Sequence, residues 1–247
     1  MDEFQLREAA PNGRALTRGE RPILRWSNPV RDFVNDGVTF LFLDGQRPRA
    51  VVTVWVRSPE ASLTSGEAWR EFASFSAQPL VCQRDGRTLW SPKSGQLVDQ
   101  PLDDVEPPAP RPARRLAQMR EIARRFHATW YKMGSPNELR LLTQPLYRYQ
   151  DADRKILDGA LFAFVEGNDA EALLLVEATS GHGMQHGWQY SLARMTAYRV
   201  VVRLDERSVF DVAPYWRAPR APDDPYMEAN DGAFALGELQ DGSKSSR

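Results

Sequence analysis

The stretch His182-Gly183-Met184-Gln185-His186 places two of the chain's three histidines four residues apart. Imidazoles at that spacing ligate zinc when a helix holds both on one face and a further side chain completes the set. Here Gly181, Gly183 and Gly187 surround the pair, and each glycine disfavours helix by roughly 1 kcal/mol relative to alanine. The segment reads first as a glycine-rich turn between strands. A metal centre built on it would use His182 and His186 with Glu177, or with Asp211 or His127 in its place.

Other chemistry-bearing residues are scattered. Glu166 and Glu177 could divide acid and base roles if burial split their pKa values, but "EGNDAE" between them reads as a solvated acidic turn. "DADRKILDG" begins like a calcium loop with Asp151 and Asp153, then fails at Lys155 and Ile156, where a ligand and a glycine are required. Phosphate-loop, nucleophile-elbow and Cys-x-x-Cys patterns are missing from the sequence. The single Cys82 lies within an apolar run and reads as a small hydrophobe. His127 reads as a residue beside the apolar stripe of a helix, covering the core edge. Arg25, Trp26 and Arg31 surround Pro29, while Tyr147, Arg148 and Tyr149 follow Pro145. Arginines stacked on aromatics beside a rigid turn can line a pocket for an anionic or aromatic ligand, or lock a loop to a sheet rim.

The elements that must position these residues are mostly strands. "VTFLFLDGQRPRAVVTVWV" (38–56) and "PLVCQRDGRTLW" (79–90) read as hairpins turning at Asp44-Gly45 and Asp85-Gly86, where positive φ is cheap. Further strands are expected at 22–31, 68–76, 138–144, 159–167, 171–179, 188–204 and 207–213. The spacing of Leu116, Met119, Ile122, Ala123, Phe126 and Trp130 predicts one long amphipathic helix over about 113–132, delivered by a proline-rich loop at 92–112. Residues 1–20 read as a flexible arm and 214–247 as an extended or disordered tail, leaving a single domain over 21–213. The resulting expectation is an α+β fold, with a mostly antiparallel curved sheet or partial barrel packed around one long central helix. Runs such as "LFAFV" and "LLLV" require cover on both faces or closure of the sheet on itself.

The formal net charge of -1 argues against nucleic-acid binding by bulk charge. A single cysteine gives no intramolecular disulfide, and no run reaches the roughly 20 apolar residues of a membrane-spanning helix. A cytoplasmic protein is expected, although an export signal already removed would leave the same sequence. The segments "RWSNPVR", "LRLLTQPLYRY", "DGALFAFVEGNDAEALLLVEA" and "WQYSLARM" resemble an uncharacterised family of bacterial proteins over about residues 20–213. That resemblance carries no assigned activity and hence no catalytic residue, and several of the relatives look exported.

The sequence thus points to a non-catalytic domain that binds a small molecule or a protein, with no cofactor, no nucleic acid and no membrane. Its candidate ligand residues are Trp26, Arg25, Arg31, Tyr147, Arg148 and Tyr149. The alternatives are a metal-dependent hydrolase centred on His182, His186 and Glu177, and a structural subunit of a larger assembly.

Overall fold

The structure is a computed structural model and describes residues 4–28, 34–58, 65–180, 186–215 and 223–235. Four antiparallel sheets lie in layers. The first central sheet is built on β4 (Val34–Asp44), β5 (Arg47–Ser58) and β6 (Ser65–Ser74). Strand β19 (Tyr226–Ala235) pairs with β6 at one edge, and β2 (Thr17–Arg18) and β3 (Leu24–Asn28) share the outer side of β4. The second central sheet is built on β14 (Ile156–Glu166), β15 (Asp169–Ser180) and β16 (His186–Arg194). Its edges are β9 (Leu97–Leu102) on one side and β12 (Arg140–Leu141) with β13 (Tyr147–Asp151) on the other.

Two smaller sheets cover the outside. One comprises β1 (Gln5–Glu8), β7 (Leu80–Arg84) and β8 (Arg87–Trp90). The other comprises β10 (Phe126–Lys132), β11 (Ser135–Glu138), β17 (Arg199–Leu204) and β18 (Arg207–Val212). Helix α1 (Pro112–Arg124) packs beside this last sheet and contacts β14, β15 and β10.

Strand alternation sorts the apolar side chains into three cores. On β14, Leu161, Ala163 and Val165 point toward the first central sheet, where they meet Leu41, Val51 and Ala73. Ala160, Phe162 and Phe164 point the other way, toward Met119 and Ile122 of the helix and Phe126 and Trp130 of β10. The third core joins Phe42, Val52 and Phe72 to Leu80, Cys82 and Trp90 of the small sheet. Period-two geometry turns a continuous apolar run into two buried faces. "LFAFV" and "LLLV" are therefore covered on both sides, not closed into a barrel.

The expected α+β fold, with an antiparallel sheet wrapped around a long central helix, is overturned: the chain is mostly β. Its helix has 13 residues and lies to one side of the second central sheet. Phe126 to Lys132, expected as the second half of that helix, is a strand. Phe126 and Trp130 are four apart, a spacing that satisfies both helical and strand periods. Burial of Ala128 between them and exposure of His127 show the strand alternation. Thr129, Trp130 and Tyr131 are also β-formers, whereas the arginine- and alanine-rich stretch before them favours helix.

Turn chemistry is followed closely. Asp85 and Gly86 both have positive φ, 51° and 74°, in a two-residue turn. The β4–β5 turn falls one residue later than expected, on Gly45-Gln46, with Gly45 at φ 63° and Asp44 still paired to Arg47. The single strand expected over 188–204 is two, because the chain crosses between sheets at 195–198. The proline-rich loop contains β9, and the expected arm and tail contribute β1, β2 and β19.

Leu174 is fully buried within the second central sheet, whereas Leu116 only flanks that core. Leu174→Ala should cost about 2–5 kcal/mol in urea unfolding, and Leu116→Ala distinctly less. Equal costs would contradict a sheet-centred core.

Candidate functional site

The apolar band between the two central sheets has charged side chains at both ends, and β15 runs from one to the other. Leu173 and Leu175 sit in the band, with Glu177 beyond them at one end. At the other end Phe164 pairs with Ala172 and Val165 with Ala170, so Glu171 is an extra residue in the ladder. Such a β-bulge re-aims side chains, and both Asp169 and Glu171 line a cavity there.

At the Glu177 end the charges are matched. Arg47 reaches the carboxylate in fork geometry, Nε donating to Oε1 and Nη2 to Oε2, each at 2.8 Å. Tyr149 donates its hydroxyl to Oε1, and Gln189 donates to Oε2 at 2.8 Å. Arg47 also pairs with Asp99, whose backbone N–H donates to Ser191 Oγ at 3.0 Å. Burial works against the Arg47 charge, but Glu177 beside it outweighs this and raises the guanidinium pKa. Burial, then Glu177, raise the Tyr149 hydroxyl well above its ordinary range. The network fastens the start of β5 to the second central sheet.

At the opposite end a cavity of about 380 Å³ opens. Trp26 pairs with Gly37, Gly37 with Trp55, and Trp55 with Trp69, making one row across four strands. The Trp55 and Trp69 rings stack at 5.4 Å and 13°, and Trp26 tilts at 44° to Trp55. Glycine is required at 37, since a Cβ there would lie 2.5 Å from Trp26 Cζ2. Thr39, Thr53, Glu71 and Glu228 form the next row inward. Thr39 and Thr53 share a hydroxyl hydrogen bond of 2.9 Å.

Four carboxylates, from Glu71, Asp169, Glu171 and Glu228, line this cavity together with Arg57 and Lys132. All four acids are buried. Tyr226 donates its hydroxyl to Glu71 Oε1 at 2.8 Å. Burial first, then Glu228 and Asp169, push the pKa of the Glu71 carboxyl well above its ordinary value of 4.5. Two further lining groups, Asn35 Oδ1 and Trp55 Nε1, are buried without a hydrogen-bond partner among the described residues. A buried acceptor and a buried donor in that condition are uncommon and call for an explanation. The roof is the 195–198 crossing, including Thr196 and Tyr198.

Of the described residues singled out by sequence, Trp26 alone lines the cavity. Arg25 is exposed and pairs with Asp36 at 3.2 Å, and Arg31 lies outside the described residues. Tyr147 stacks on Tyr149 at 5.6 Å and its hydroxyl donates to the Gln46 carbonyl. Arg148 forks onto Asp158 at 2.9 and 2.7 Å, where Arg115 of the helix also binds. The two arginine–aromatic groups thus occupy separate places.

Of the proposed metal ligands, His182 lies outside the described residues. His186 opens β16, its backbone opposite Ser180, and its side chain is likewise outside the description. Glu177 is committed to Arg47, Tyr149 and Gln189, and Asp211 pairs with Arg199. No group of three His, Cys, Asp or Glu positioned for a metal occurs among the described residues. Burial raises the Cys82 thiol to about 12, so it stays protonated at neutral pH.

The sequence reading missed Trp55, Trp69, Glu71, Asp169, Glu171 and Glu228. A signal existed in β5 and β6, where the face that carries Val51 and Ala73 continues outward as Thr53 and Trp55, and as Glu71 and Trp69. Comparisons with protein-family models, with curated proteins and with solved structures find no match to this chain.

Two measurements separate the ends of the band. Arg47→Met strands a fully buried carboxylate and should cost about 3–5 kcal/mol, much of it restored in Arg47→Met/Glu177→Leu. A double variant no more stable than the single one would contradict the matched pair.

For Glu71 the folded pKa is raised, so its favourable contribution is complete below about pH 4 and is lost as pH climbs to the raised value. Glu71→Gln should flatten the decline of stability with pH over that interval. An unchanged slope in chemical denaturation across pH would count against a raised pKa at Glu71.

Proposed function

We propose that this chain is a small-ligand-binding protein whose site is the tryptophan- and carboxylate-lined cavity at one end of the β-sandwich. The observation that carries this reading is the pair of unsatisfied groups, Asn35 Oδ1 and Trp55 Nε1, in the lining of a cavity of about 380 Å³. That volume lies at the lower end of the roughly 300–1,000 Å³ typical of small-molecule sites. The wall combines broad apolar faces with a few convergent polar groups, the composition such sites share. Its parts come from both central sheets and from β10, so a rigid scaffold sets the geometry before any ligand arrives.

Other features favour this reading over the alternatives. The apolar strands behind the assembly hypothesis find cover within the chain itself. Glu177, required by the metal-hydrolase hypothesis, is already fully occupied by protein donors.

Saturation-transfer NMR with a panel of alkylammonium ions, sugars and small carboxylates tests the proposal. At least one member should bind the intact chain, and Trp69→Ala should weaken it by roughly tenfold. A silent panel, or hits indifferent to Trp69→Ala, would overturn it.

A further inference from the structure

We infer that the ligand is a neutral polyhydroxylated ring, a sugar in its pyranose form, with one hydroxyl bridging Asn35 Oδ1 and Trp55 Nε1. This rests on the ligand-binding reading of the cavity and adds the ligand's chemistry.

The two unsatisfied groups carry the inference. Asn35 is 3% exposed, and its Oδ1 and Trp55 Nε1 are buried without a hydrogen-bond partner in residues that line the cavity. Gly37 pairs with Trp55, and Asn35 pairs with Arg57 one step along the same face. Asn35 and Trp55 are therefore diagonal neighbours on adjacent strands, a spacing of roughly 7–8 Å that one small ligand spans. One offers an acceptor and the other a donor. An ammonium ion only donates and a carboxylate only accepts, so either would leave one of the pair unmet. An apolar ligand would leave both. A hydroxyl donates and accepts at a single oxygen.

The rest of the wall suits the same chemistry. Trp55 and Trp69 line the cavity as part-buried indoles stacked at 13°. A pyranose carries C–H groups on its ring faces, and these pack on indole as other apolar surfaces do. Polar residues stand on several sides: Thr196 on the crossing, Lys132 on β10 and Arg57 on β5. A ring with hydroxyls around its rim can meet several sides at once, where a single planar edge meets one.

Calorimetry on the full chain would compare the methyl pyranosides of glucose, galactose and mannose with tetrahydropyran, a ring without hydroxyls, and with nicotinamide, a planar donor and acceptor. At least one pyranoside should bind roughly tenfold or more tighter than either control. Asn35→Leu and Trp55→Phe should each weaken that pyranoside by roughly tenfold. Asn35→Leu also removes an unpaired buried acceptor, so the urea midpoint of the empty chain should hold or rise while affinity falls. A purely structural role would move the two together. One monodeoxy analogue of the bound pyranoside should show the same loss in the parent chain and lose nothing further in Asn35→Leu.

Silent pyranosides, when ammonium ions or carboxylates of the NMR panel bind, overturn the sugar and leave the cavity a ligand site. So does equal or tighter binding of a control. Pyranoside binding that responds to Trp69→Ala but not to both Asn35→Leu and Trp55→Phe overturns the hydroxyl bridge. A lowered urea midpoint in Asn35→Leu does the same, since Asn35 would then be paired in the empty chain. Silence of every probe, or hits indifferent to all three variants, overturns both readings.

Discussion

The β14–β15 hairpin is buried on both faces, and the rest of the chain is arranged to keep it so. Its inner face requires the first central sheet; its outer face requires α1, β10 and β17. An antiparallel pair of ordinary composition would leave one face to water. Here neither face can be left uncovered, which is why the described residues, with one short helix among them, stack in four layers. The connections follow from that demand: the chain leaves β16 at Arg194, crosses, and re-enters the outer layer as β17 at Arg199.

That crossing has a second effect. The four residues that carry the chain between layers also roof the cavity, so the space is a by-product of the layer change and is walled by elements the core already fixes. The two ends of the band differ chemically. Arg47 answers Glu177 at one end with fork geometry and full burial. At the other end four acids gather beside tryptophans, and burial together with the neighbouring carboxylates raises the pKa of Glu71. Ion pairing fills one end of the band, and a cavity occupies the other.

Much of the sheet content was legible because turns are written in local chemistry. Asp85-Gly86 and the Gly167 turn sit between clearly apolar runs, and both form tight connections. The fold class was not, because Phe126 and Trp130 fit two periods at once and continue a true helix without a break. Only the partner strand, β17, decides between them, and pairing over such a distance leaves no local mark. The cavity was harder still. Asp169 and Glu171 look like a solvated turn until a bulge and two distant sheets enclose them. Trp26 was noticed for its neighbours Arg25 and Pro29, yet it earns its position from Gly37 and Trp55.

Alternation along β15 has one more consequence, for how the molecule assembles. Displacing its pairing by a single residue would send Glu177 in among Phe162 and Trp188 and turn Leu174 and Val176 toward the position of Arg47. Between Ala172 and Val176 the strand is apolar throughout and has little to tell one alignment from its neighbour. The acids on either side of this run, Glu171 and Glu177, therefore work as reading-frame marks, making the misthreaded sheet costly before the sandwich can close.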